Sequence, residues 1–242
     1  MVRPSPVTLA DKAYAAIRDD ILRGELHPGT TLSRRRLARH LGMSVIPVND
    51  ALRRLQGDGL VESRPRAGTR VRVPSATDVR DLYELREALE SQTARLFAER
   101  ATAGERRDLR RRGAHLDTLF GRLAARPEDA ALQFSVHGEH VAFHMGIAER
   151  AGSALVTQMI ERNNVLTLNW LLDVSARETP LPPRFHLDLA EAVASDDPAR
   201  ADAAMRGHIH FGFAEISGRF APPAASKWRG RAALGGRAGG RR

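Results

Sequence analysis

Apolar residues recur three and four positions apart along most of the chain, the spacing of one face of an α-helix. Tyr14, Ile17 and Ile21 follow it and predict a helix over Lys12–Arg23, which Gly24 and Gly29 break. Leu37, Ala38 and Leu41 predict a second, within Arg34–Leu41, ended by Gly42. Ser44 then stands at an N-cap position, and Pro47 falls in the first turn, where a missing N–H costs nothing. A third helix is therefore expected from Val45 to Gly57, with Val48, Ala51, Leu52 and Leu55 inward and Ile46, Asn49, Asp50, Arg53 and Arg54 on or near the outer face. Two short helices joined by Gly42-Met43-Ser44 make a helix-turn-helix. Leu60-Val61 and Thr69–Val73 read as two strands around Pro65 and Gly68, with Val71 and Val73 inward and Arg70 and Arg72 outward: a basic wing.

Past Pro74-Ser75-Ala76-Thr77, where Thr77 is a candidate N-cap, the period is helical with almost no strand signal. Leu82, Leu85, Leu89 and Leu96-Phe97 stripe a helix to about Arg100. Leu109, Leu116, Leu119-Phe120 and Leu123 stripe the next, and Val136, Val141, Phe143-His144 and Ile147 another. Leu155–Leu172 is long and apolar, Leu187–Ala194 resumes after a proline-rich break, and Ala199–Phe220 closes the series. The expected fold is mainly α: an N-terminal winged helix-turn-helix over 1–75, then an antiparallel helical bundle of about six helices over 76–221. Residues 1–7 read as a loose arm, and 222–242, rich in Ala, Gly and Arg, as a disordered basic tail.

Charge sharpens this division. The net charge of +9 splits into +7 over residues 1–75, −4 over 76–221 and +6 over 222–242. A basic first domain beside a mildly acidic second one is expected when only the first meets phosphate backbones. The chain has no cysteine, which excludes disulfides, thiolate metal sites and cysteine nucleophiles. Mean hydropathy is −0.36, and neither a membrane span nor a signal-peptide core is visible, so a cytoplasmic protein is expected.

The run from Ile21 to Ser33, with Leu37-Ala38, Leu41-Gly42-Met43-Ser44, Pro47-Val48, Ala51-Leu52, Leu55 and Gly59-Leu60-Val61, closely resembles the winged-helix domain of GntR-family bacterial transcription regulators. The resemblance covers about the first seventy-five residues and implies binding to double-stranded operator DNA. Family members usually carry arginines after the turn serine and after the Pro-Val pair, and these contact DNA; here the positions are Val45 and Asn49. An acidic residue usual after the Leu-Ser pair is Arg34. The operator is accordingly expected to differ from the family's common one. Arg34, Arg35, Arg36, Ser44, Asn49, Arg53, Arg70 and Arg72 are the candidate DNA contacts, with Asn49 able to pair with adenine.

The remainder resembles the all-helical effector domain of the FadR-like branch, called FCD. The resemblance rests on Leu85-Arg86-Glu87-Ala88-Leu89-Glu90, Phe143-His144 with Ile147, His186 followed by Ala192-Val193 and Asp197, and Ala204-Met205-Arg206-Gly207-His208. In metal-binding members, histidines at the places of His144, His186 and His208 coordinate a divalent ion, joined by an aspartate four residues before the first. His140 occupies that place. Independently of the family, His140 and His144 stand at i and i+4 on one helix face, and His186 and His208 come from two others that can converge. Four imidazoles suit a divalent transition metal, zinc or nickel first, better than magnesium or calcium. Without the aspartate such a site is more attractive to an anion. The alternative has His140 turned outward, leaving three histidines.

Arg86 is a candidate for pairing an effector carboxylate, against a plain helix-surface salt bridge with Glu90. Asn163 and Asn164 could line the same cavity or face a partner or water. The remaining histidines, His27, His40, His115, His137 and His210, read as packed or exposed imidazoles. The sequence thus points to a homodimeric regulator sensing a small anionic effector, an organic acid, through a metal-containing bundle. A pure metal sensor or, further off, a metalloenzyme are the alternatives. No His-Glu-x-x-His or comparable catalytic motif supports the enzyme.

Overall fold

The computed structural model describes residues 7–64, 68–162 and 181–220. The chain begins with α1 (Leu9–Leu22), started three residues before the expected Lys12 by a capping box in which Thr8 and Asp11 satisfy each other's backbone N–H groups. Then follow β1 (Thr31–Leu32), α2 (Arg34–His40), α3 (Val45–Gly57), β2 (Val61–Arg64) and β3 (Gly68–Val71). Gly42 takes a left-handed φ of 62° between α2 and α3, the conformation that lets the chain turn there without a Cβ clash. Ala13, Ile17, Ile21, Leu37, Val48, Ala51, Leu52 and Leu55 form the core between these helices, closed by Leu60 and by Leu32, Val61 and Val71 of the sheet.

The sheet has the order β1-β3-β2, antiparallel throughout. The two-residue β1 escaped sequence reading because it is too short to show alternation. Register corrects the wing in one respect: Val71 is fully buried, but Val73 lies beyond the end of β3 and is 55% exposed. Alternation holds only while the ladder lasts.

The second unit runs α4 (Ala76–Arg100), α5 (Ala103–Ala124), α6 (Ala130–Arg150), α7 (Ala154–Arg162), α8 (Phe185–Val193) and α9 (Pro198–Phe220). α4 starts at Ser75, not at Thr77: Ser75 accepts from the Asp78 N–H and Asp78 returns the bond, a box that Thr77 has no acidic partner to make. α9 packs along α4 and α8, α5 against α6 and α8, and α4 against α6 and α7. Tyr83, Phe97, Leu116, Phe143, Ile147, Met205 and Ile209 are among the side chains buried between them. α7 accounts for the start of the expected Leu155–Leu172 stretch; the rest of it, and the basic tail, lie outside the described residues.

One contact sets the geometry of the site. A Cβ on Gly113 of α5 would stand 2.7 Å from the backbone oxygen of His186 and 2.9 Å from the Ala190 side chain. Only hydrogen at this position lets the start of α8 lie so close to α5. Arg184, just before α8, holds a left-handed φ of 59°, with its side chain tied to Asp188 and Glu191.

Candidate functional site: a buried histidine cluster and an exposed helix face

α6 contributes His140 and His144, α8 contributes His186 and α9 contributes His208; all four side chains are buried. His140 thus turns inward, and its Nε2 lies 3.1 Å from Nε2 of His144. Potential ligand atoms of His140, His144 and His208 all fall within 4.8 Å of one another. Bound to one tetrahedral zinc, two such nitrogens would stand about 3.3 Å apart, so small side-chain rotations would close the set. His186 is outside that trio by ligand atoms but belongs to the ring cluster, with its centroid 5.2 Å from His140 and 5.4 Å from His208.

Two carboxylates orient the imidazoles from behind: Glu90, which the sequence offered only as a salt-bridge partner for Arg86, and Asp117, which no motif singled out. Glu90 Oε2 lies 2.7 Å from His144 Nδ1, and Asp117 Oδ1 lies 2.9 Å from His186 Nδ1. Asp117 also accepts from the backbone N–H groups of His186 and Leu187, serving from α5 as the cap of α8. An imidazole with a carboxylate at Nδ1 presents Nε2 on the opposite side of its ring, which is the arrangement of metal-binding histidines. Phe120 stacks on the His186 ring at 4.9 Å and Phe185 on His208 at 4.5 Å, walling the cluster with apolar surface.

Arg86 forms its pair with Glu90, Nε to Oε1 at 2.7 Å, in the core and not on a helix surface. The arginine and His144 grip opposite oxygens of one carboxylate. Burial alone would raise the Glu90 pKa, but the Arg86 guanidinium and the contact with His144 outweigh it and hold it at about 2. Asp117 is likewise lowered: its bonds from His186 and Leu187 overcome partial burial. Burial, followed by the neighbouring imidazoles and Arg86, pushes His140 well below its ordinary value, so its ring is neutral and able to ligate.

His27, His40, His115 and His210 are exposed, but His137 is buried on α6 and its pKa is pushed to about 3 by burial and by Arg18 of α1. Close by, the Arg23 guanidinium lies 4.4 Å over the Phe134 ring, tying α1 of the winged helix to α6 of the bundle. Asn163 and Asn164 lie outside the described residues.

On the winged helix, Arg34, Arg35, Arg36 and Ser44 are exposed; Ser44 occupies the N-cap of α3 without making the side-chain bond. The wing arginines are not free outward charges. Arg70 pairs with Glu62, its partner across the β2–β3 ladder, and Arg72 with Asp78 of α4. Arg53 is largely exposed and pairs with Asp50, while Arg54 pairs with Asp11 and lies over Tyr14. Asn49 is half-buried, its Oδ1 sealed from solvent without a hydrogen-bond partner among the described residues.

This two-part architecture defines a class. Residues 9–71 match the family described as "Bacterial regulatory proteins, gntR family", and residues 81–211, more than half of the chain, match the FCD domain. An uncharacterized HTH-type transcriptional regulator of Streptomyces ambofaciens is 32% identical over 214 residues, covering 84% of this chain and 83% of that one. A regulator of Agrobacterium vitis is 41% identical over 86 residues, 36% of this chain and 50% of that one. The solved structure of E. coli McbR/YncC superposes with a TM-score of 0.70 at 21% identity, over 89% of this chain and 100% of that one. The chain belongs to the GntR family and is a DNA-binding transcription regulator with an FCD domain, not an enzyme. No helix among the described residues is long and apolar enough to cross a membrane.

Proposed function

We propose that this protein is a homodimeric regulator in which the winged helix of residues 1–75 binds operator DNA. In this reading the bundle of 76–221 dimerises and senses a small organic acid through a divalent transition metal, zinc or nickel. The observation that carries the reading is the buried set His140, His144 and His208, joined by His186, with Glu90 and Asp117 behind two of the rings. An all-imidazole set without thiolates fits such an ion, which would act as a Lewis acid towards a carboxylate. The charge balance favours an anion. Two positive charges on the ion and one on Arg86 face two negative charges on Glu90 and Asp117, a surplus of one.

α6 supports a route to DNA. It carries His140 and His144, and also Phe134, which stacks under Arg23 of α1, and His137, which feels the charge of Arg18 on the same helix α1. An effector that favours one packing of α6 would bias the placement of the winged helices, and hence the spacing of two half-sites. The test is operator binding by purified protein titrated with zinc, nickel and a panel of organic acids. A response to acids only when metal is bound supports this reading; a response to metal alone makes the ion the effector. No response to either overturns it.

A further inference from the structure

We infer that Ile46, with Val45 beside it, reads thymine methyl groups in the major groove, so that each half-site carries T·A pairs opposite the start of α3. The inference rests on the reading of α3 as the DNA-contacting helix and names what that helix recognises. Ile46 is 73% exposed and Val45 37%, in the first helical turn, where a helix-turn-helix presents its base-contacting residues. Neither is needed for the core: Pro47, Val48, Ala51, Leu52 and Leu55 already fill the buried face of α3.

The polar residues of the same helix are less well placed for a base edge. Arg54 is held by Asp11 and Tyr14, Arg53 pairs with Asp50 at the surface, and Asn49 has its amide oxygen sealed from solvent. That leaves Ile46 as the most exposed large apolar side chain on this helix, and the thymine C5-methyl is the one apolar group a base pair offers in the major groove. Exposed Arg34, Arg35 and Arg36 on α2 supply phosphate attraction that carries no sequence information. Specificity would then come from a dry aliphatic contact at the head of α3.

The full-length protein is used to select bound duplexes from random DNA, and the enriched sequence is resynthesised with uracil replacing thymine at one half-site position at a time. Uracil keeps the pairing and loses only the methyl. At one or two positions per half-site, exchange should weaken wild-type binding about fourfold per methyl, the loss of one buried methyl-sized contact. Ile46→Ala should bind the thymine and uracil duplexes equally. The substitution is at a surface position, so its melting temperature should match wild type, and the uracil measurement on wild type needs no variant. An enriched sequence whose affinity is indifferent to every thymine methyl, or an equal loss in Ile46→Ala, overturns the inference and leaves DNA binding intact. Failure to enrich any sequence would instead overturn operator binding itself.

Discussion

Replacing Glu90 by glutamine keeps the shape of the side chain and removes the charge that Arg86 and His144 share. In the folded chain the carboxyl titrates at about 2, against an ordinary value of 4.5. That difference corresponds to about 3 kcal/mol of folding stability above pH 4.5, shrinking as pH falls towards 2. Direct loss of the charge leaves Arg86 as an uncompensated buried cation, at a cost of about 3–5 kcal/mol, so the two routes agree. For a chain of this size, that lowers the melting temperature by roughly 6–20 °C. The assay is thermal and urea unfolding of wild type and Glu90→Gln in chelator, so that metal does not enter. Between pH 6.5 and about 3 both proteins should lose stability, because His137 and His140 are held neutral in the fold and take up protons once unfolded. The part of the loss between pH 4.5 and 2 that belongs to Glu90 should be missing in the variant. Arg86→Met combined with Glu90→Gln should recover much of the stability, since no charge is then stranded. A melting temperature within a degree of wild type at pH 7 would refute the view of Glu90 as the ion that holds these two groups.

The same residue stands behind His144, so metal-loaded Glu90→Gln should release zinc with 10–100-fold lower affinity by competition with a chromophoric chelator. Gly113→Ala should cost about 1–3 kcal/mol in urea unfolding, because the methyl meets backbone and not a yielding side-chain tip; unchanged stability would mean that α8 can move away freely. His140→Asp should keep stoichiometric metal by elemental analysis while His144→Ala loses it; if His140→Ala also keeps full affinity, His140 is a neighbour and not a ligand. Phe134→Ala removes the stacking partner of Arg23 and should leave metal binding and basal DNA binding intact. What it should reduce is the shift in operator affinity that metal and effector produce, and an unaltered shift would exclude this contact from the route.

What the chain's pattern determined by itself is local. The helix-turn-helix, the wing and the stripes of the bundle follow from periods of 3.6 and 2 that any window of a dozen residues displays, and the two family matches fall on those stretches. Element ends were legible to within a few residues, and failed where two cap candidates stood together, as at Ser75 and Thr77. Tertiary structure decided what needed distance. His140 and His144 share a face by spacing alone, but whether that face turned inward depended on α8 and α9 closing over it. Asp117 reaches His186 across 69 residues because Gly113, one turn earlier on α5, admits α8 so closely. Outward alternation placed Arg70 and Arg72 in solvent; the ladder set Arg70 opposite Glu62, and the start of α4 brought Asp78 to Arg72. Periodicity records which side of an element is apolar, and nothing in it records which charged or imidazole group from another element will lie against the rest.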